Sequence, residues 1–209
     1  MSTSKTIYMF RHGETDWNRE GRMQGSTDIP LNTTGREQAR FLQEFFLANP
    51  VDVFLSSDLA RAQETAQIIA AESGVEIILD SCLRETNLGA AEGLTSEEFI
   101  ILYGEEILER WRRVDVSDHH VRFPNGESKF EHRVRFQQGL ERLLHSAEAS
   151  RWQRIGVATH GGSMRRLIHH LHPELTEAVM VGNCGTYKME YQVLSRTWSM
   201  DITPVFISN

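Results

Sequence analysis

Four short, strongly apolar runs, each leading into residues with chemically capable side chains, constrain this chain more than any other feature. Thr6–Phe10 runs into Arg11-His12, and Val51–Leu55 into Ser56-Ser57-Asp58 with Arg61 just beyond. Val75–Leu79 is followed by Glu85, and Ile155–Thr159 by His160. Short runs rich in β-branched and aromatic residues, separated by helix-length segments, predict an α/β fold with a mostly parallel sheet. In such a sheet the carboxyl ends of the strands meet at one edge, which is where α/β folds bind their ligands. Separate segments would then deliver Arg11, His12, Arg61, Glu85 and His160 to one crevice.

The intervening segments carry helix signals. Thr34-Gly-Arg-Glu37 is a capping-box pattern that predicts a helix to about Ala48. Ser57 or Asp58 can cap a helix over 59–71. Thr95-Ser-Glu-Glu98 predicts a helical stretch toward Arg113, and Ser128-Lys-Phe-Glu131 a long helix to about Ala147. Gly161 to His170 also reads as helical. Tyr187–Leu194 and Thr197–Phe206 alternate, predicting an antiparallel pair despite a Ser195-Arg196 link without the favoured Gly or Asn.

Length and composition fit one domain over residues 1–209. A formal charge of −7 excludes bulk nucleic-acid and anionic-membrane binding, which need a basic field. Any anion site must be a local basic pocket. Cys82 and Cys184 show no metal-site spacing and read as thiols of a reducing compartment. The polar start Met1–Lys5 and the short run Ile7–Phe10 predict neither a signal peptide nor a membrane span, so the expected location is cytoplasmic.

Moving a phosphoryl group needs a nucleophile, cationic clamps and an acid for the leaving oxygen. His12 is the candidate nucleophile. Arg11 and Arg61 are candidate clamps, because a guanidinium fork matches phosphate geometry. His160 can add a donor, and Glu85 is the candidate general acid and later base. Gly13 and Gly161 leave room for an anion to approach the backbone, and a helix beginning near Gly161 offers its positive end. A neutral His12 and a protonated Glu85 predict a bell-shaped pH profile.

Arg11-His-Gly-Glu-Thr15, with Trp17-Asn18 and Arg22-Met-Gln-Gly25, resembles the signature of the histidine phosphatase superfamily, which includes the cofactor-dependent phosphoglycerate mutases. Ser56–Thr65, Leu83–Gly89 with Glu92-Gly93, Asn125-Gly-Glu-Ser128 and Ala158-Thr-His160-Gly-Gly162 resemble its further segments, in order. The resemblance implies a three-layer α/β/α sandwich, phosphorylation of His12, and Arg11, Arg61 and His160 around the phosphate. It makes Glu85 the proton donor and acceptor. It also implies a phosphate contact from Asn18, pocket positions for Thr15, Gln24 and Gly25, and no metal or other cofactor.

Phosphatase and mutase differ in the acceptor, water or a second substrate oxygen. Tyr103-Gly-Glu-Glu106 with Arg110-Trp-Arg-Arg113 resembles the mutase segment whose paired arginines bind substrate. Yet Leu102 and Leu88 stand where the mutases have lysine and tyrosine, and Val114–Phe123 lacks their long covering stretch. An uncovered pocket admits water. The expected activity is therefore hydrolysis of a small phosphorylated metabolite. A phosphoglycerate mutase is the alternative enzyme. A non-catalytic phospholigand-binding protein is the alternative from another class, and the complete set of His12, Arg61, Glu85 and His160 argues against it. Arg110, Arg112 and Arg113 read as a solvated helix face, and Glu92 as a structural ion-pair partner. The oligomeric state is not encoded in these motifs.

Overall fold

The computed structural model describes residues 4–114 and 116–208. Residues 1–3 of the polar start and Asp115, inside the Val114–Phe123 connection, lie outside the described residues. In chain order the elements are β1 (Ser4–Arg11), α1 (Asp16–Arg19), α2 (Thr33–Ala48), β2 (Val53–Ser56), α3 (Ala60–Ala70), β3 (Ile77–Leu79), α4 (Ser96–Tyr103), α5 (Glu105–Arg112), α6 (Lys129–Leu144), β4 (Arg154–Thr159), α7 (Gly161–Leu171), β5 (Thr186–Gln192) and β6 (Thr197–Met200).

Strand order is β3-β2-β4-β1-β5-β6. β3, β2, β4 and β1 are parallel, β5 is antiparallel to β1, and β6 is antiparallel to β5. Period-two alternation sorts the side chains of the parallel strands. Ile7, Met9, Val53, Leu55, Ile155 and Val157 pack against Phe136 and Leu140 of α6 and Met164, Leu167 and Ile168 of α7. Tyr8, Phe10, Phe54 and Ala158 pack against Leu42 and Phe46 of α2 and Ala66 and Ile69 of α3. Each large side chain so buried stabilises the fold by roughly 1.5–3 kcal/mol. The result is the expected three-layer α/β/α sandwich. A separate small cluster of Ala91, Phe99, Leu108 and Phe123 lies under α4 and α5. No helix among the described residues is long and apolar enough to cross a membrane.

Register aligns the strand ends that matter. Arg11 pairs with Thr159 and Ser56 with Ala158, so His12, Ser57 and His160 leave the sheet at one level. The amide of His12 donates to Thr159 O and that of Ser57 to Ala158 O, both at 3.0 Å.

Several local expectations change. The capping boxes at Thr95 and Ser128 form as read. The cap of α2, however, is Asn32, whose Oδ1 accepts from Gly35 N at 2.9 Å, so Thr34–Glu37 lies inside the helix. Asp28 Oδ1, from a distant loop, accepts from Ala60 N at 2.7 Å at the start of α3. Asp58 instead grips Arg84 with both oxygens at 2.6 Å. The stretch toward Arg113 divides at Gly104, whose φ of 84° breaks the helix. α6 ends at Leu144 rather than Ala147. The β5–β6 hairpin forms, with Arg196 at a φ of 55° supplying the turn that Gly or Asn would favour.

Candidate active site

His12 is 3 % exposed and His160 is fully buried, with ring centroids 5.3 Å apart. His12 Nδ1 lies 2.6 Å from Gly13 O. A carbonyl only accepts, so Nδ1 carries the proton and the Nε2 lone pair is left available. Burial, then Arg61 and Arg11, hold the His12 pKa well below its ordinary 6.5, against the pull of Gly13 O. The ring is therefore neutral at neutral pH. His160 Nε2 is 2.9 Å from Ser57 Oγ, and its Nδ1 is buried without a protein partner among the described residues. Burial followed by Arg61, His12, His132 and Arg11 likewise holds His160 well below 6.5.

The arginines are anchored by backbone carbonyls. Arg61 donates through Nη1 to Thr27 O at 2.8 Å and through Nη2 to Gly25 O at 2.7 Å. Arg11 donates from Nη1 to Val181 O at 2.9 Å. The Nε of each is buried without a protein partner among the described residues. Burial lowers both to about 10, which leaves them charged at neutral pH. An unpaired buried donor costs about 1–3 kcal/mol, so a site holding several is built to receive an acceptor. The polar atoms here are those an oxyanion would satisfy.

Glu85 follows the short turn after β3. Its Oε1 accepts from Thr86 N at 2.9 Å and its Oε2 from Gly162 N at 2.7 Å, the first turn of α7. Burial alone would raise its pKa, but His132, Arg166 and the two amides outweigh this and hold it at about 2. The unliganded site thus favours the Glu85 carboxylate, while the expected protonated form concerns the substrate complex. Four stabilisers of the charged form, the His132 and Arg166 side chains and two amide donors, act together in the unliganded site.

The other expected positions divide. Gly161 opens α7, and a Cβ there would come within 3.3 Å of Arg11 Nε. Gly13 does not offer its backbone to a ligand. Its N–H donates to Thr65 Oγ1 at 3.1 Å, and the Gly35 backbone occupies the space of a Cβ. Thr15 is fully buried, and its hydroxyl caps α1 by accepting from Asn18 N. Asn18 Oδ1 accepts from Thr15 N at 3.3 Å and Asn183 Nδ2 at 3.2 Å, leaving the Asn18 Nδ2 as its remaining donor. Gln24 is 9 % exposed with Oε1 unpartnered among the described residues. Gly25 contributes its carbonyl to Arg61. Glu92 is spent on hydrogen bonds rather than the expected ion pair: it accepts from Ser26 N at 2.8 Å and Leu88 N at 2.9 Å.

Sequence reasoning missed several neighbours. Ser57 was read only as a helix cap, yet its hydroxyl meets His160. Asn183 donates to His12 O at 3.1 Å. His132 is buried between Thr86 Oγ1 at 2.8 Å and Ser163 Oγ at 3.0 Å, with Glu85 Oε1 4.0 Å away. Its place one turn after the Ser128 cap is the only local signal it carries. Arg112 donates to Ser96 Oγ, and Arg113 lies 3.9 Å from Glu109, both on the exposed side of α5 as expected.

Fold and cluster define a class: an α/β sandwich with two histidines and two anchored arginines at the carboxyl edge of its sheet. The model of the histidine phosphatase superfamily (branch 1) matches residues 7–199, and the chain belongs to that superfamily. It is 36 % identical over 192 residues to a probable phosphoglycerate mutase of Enterobacter sp. (strain 638), covering 89 % of this chain and 85 % of that one. It is 34 % identical over 205 residues to a 2,3-bisphosphoglycerate-dependent phosphoglycerate mutase 2 of Gloeobacter violaceus, covering 95 % and 90 %. Among solved structures it resembles a mycobacterial glucosyl-3-phosphoglycerate phosphatase complexed with VO3, at TM-score 0.78 and 27 % identity over 94 % of this chain and 97 % of that one. A phosphoserine phosphatase variant of Entamoeba histolytica, in complex with phosphoserine, aligns at TM-score 0.72 and 28 % identity, covering 88 % and 90 %.

Proposed function

We propose that this protein hydrolyses small phosphomonoesters through a phosphohistidine on His12. The observation that carries this reading is the His12 ring: Nδ1–H is committed to Gly13 O at 2.6 Å, which leaves Nε2 as the nucleophilic atom. In the first step Nε2 attacks phosphorus and the bond from phosphorus to the leaving oxygen breaks, with the leaving oxygen taking a proton from Glu85. In the second step a water oxygen attacks phosphorus while Glu85 takes the water's proton, the P–Nε2 bond breaks with its electron pair returning to His12, and phosphate departs. Arg11, Arg61, His160 and Asn18 stabilise the equatorial oxygens, and Gly161 allows Arg11 to lie across the start of α7. Because Glu85 begins as a carboxylate, its proton arrives with the substrate, whose monoanion has a pKa of about 6.

Hydrolysis is favoured over isomerisation by the outer wall. Leu88 packs on the Phe99–Phe123 cluster, and Leu102 is 62 % exposed, so neither supplies a polar group to a second anion. Arg112 and Arg113 are occupied on the outside of α5. The mutase reading is kept by the 36 % and 34 % identity to proteins named as mutases. Incubation with 3-phosphoglycerate and a trace of 2,3-bisphosphoglycerate separates the two. We expect free phosphate to accumulate; 2-phosphoglycerate without phosphate would make the mutase reading correct. Equal turnover of an aryl phosphate by wild type and His12→Ala would remove both.

A further inference from the structure

We propose that Glu92 is a positioning residue for the phosphate clamp Arg61, acting through the loop 25–27. The inference rests on the reading of Arg61 as an oxyanion ligand and adds to it the device that aims the guanidinium.

Arg61 is fully buried on α3, and both of its terminal nitrogens are anchored to loop carbonyls, Nη1 on Thr27 O and Nη2 on Gly25 O. That leaves three N–H groups of the guanidinium for an oxyanion: the buried Nε–H, without a protein partner among the described residues, and the second hydrogen on each Nη. The direction of these donors depends on where those carbonyls sit. The opposite side of this loop is held as well. Glu92 holds it. Its Oε1 accepts from Ser26 N at 2.8 Å and Ser26 Oγ at 2.9 Å, and its Oε2 accepts from Thr27 Oγ1. The same Oε1 accepts from Leu88 N at 2.9 Å, tying the loop to the segment that follows Glu85. The loop is thus gripped by a carboxylate on its N–H and O–H side and by a guanidinium on its C=O side.

Gly25 closes the argument. It sits at a φ of 53°, and a Cβ there would overlap the Glu92 carboxylate. The glycine lets carboxylate and loop approach. The charge of Glu92 also supports the cationic form of Arg61, alongside the stronger effects of Glu85 and Asp28. Loss of Glu92 would free the loop, let the guanidinium turn, and weaken oxyanion binding with little change at His12.

The test is a double-mutant cycle read by calorimetric binding of inorganic phosphate, with aryl phosphate kinetics alongside. Glu92→Ala should weaken phosphate binding about tenfold, as expected for one misaligned charge-assisted hydrogen bond. It should raise KM more than it lowers kcat. Glu92→Gln should restore most of the affinity, because its oxygen can accept from Ser26 N and Leu88 N while its amide donates to Thr27 Oγ1. In an Arg61→Ala background the Glu92→Ala change should add nothing. If Glu92→Ala does not fold, the pair Ser26→Ala with Thr27→Val removes donors from the other side of the contact and should behave the same way. Equal losses with and without Arg61 would overturn the proposal, as would unchanged phosphate affinity in a folded Glu92→Ala. Failure of the hydrolase reading would appear separately, as wild-type protein that binds phosphate without turning over esters.

Discussion

The sheet-edge crevice and the α4–α5 segment are built by opposite means. In the crevice Arg61 and His160 are fully buried and His12 nearly so, and the Arg61 terminal nitrogens and both Glu85 carboxylate oxygens have fixed partners. In α4–α5, Ile101 is 82 % and Leu102 62 % exposed, and the Arg113 side chain just past α5 makes a long surface pair with Glu109. The difference separates their roles. Preorganised donors in a dry site stabilise a transition state without reorganising, so the chemistry belongs to the sheet edge. On the proposed reading the α4–α5 segment, tied by surface contacts and a small cluster of its own, takes no part in the chemical step.

The largest test of this contrast is His12→Ala, which should lower turnover of an aryl phosphate by about 10,000-fold or more. Glu85→Gln should cost about 100- to 10,000-fold in kcat, least with substrates whose leaving groups need no proton, as a series of aryl phosphates of graded leaving-group pKa would reveal. Arg61→Lys cannot reach both loop carbonyls and should lose roughly 10- to 100-fold in kcat/KM.

The pH profile sharpens the contrast further. His12 is held well below 6.5 and Glu85 at about 2, so neither changes charge at mildly acidic to neutral pH. The proton enters on the substrate, and kcat/KM should fall about tenfold per unit as pH rises past the ester's second pKa of about 6. That limb should move with the pKa of the ester; a limb fixed across esters would assign it to the protein. Linkage gives the matching sign for folding. The Glu85 carboxyl lies below its ordinary 4.5 in the folded state, so its contribution is present above 4.5 and is lost as pH falls toward about 2. Chemical denaturation across that window measures it. The smallest effect belongs to Arg112→Ala with Arg113→Ala, which should change aryl phosphate kinetics less than about twofold, as exposed pairs contribute little. A tenfold loss would break the division of tasks.

The sequence was legible where chemistry followed a strand. Arg11, His12 and His160 sit at strand ends that register brings to one level, and the capping boxes at Thr95 and Ser128 are local patterns that formed as read. It was illegible where a partner came from far along the chain. Asp28 at the start of α3, Asn183 on His12 across a separation of 171 residues, and Glu92 against the 25–27 loop make hydrogen bonds with no periodicity to announce them. The carboxylate form of Glu85 in the unliganded site is illegible for the same reason, because Gly162 N and Arg166 come from α7 and His132 from α6. Thr15 and Gly13 also hold the loop that carries His12, through the α1 cap and the Thr65 hydroxyl, a use that the motif alone does not show.

The most direct measurement is rapid quenching of the enzyme with a phosphate-labelled ester, followed by peptide mapping. An acid-labile, base-stable label on the peptide containing His12, formed and discharged at rates that match turnover, is the predicted result. Turnover with no label there, or a label on any other residue, would contradict the account.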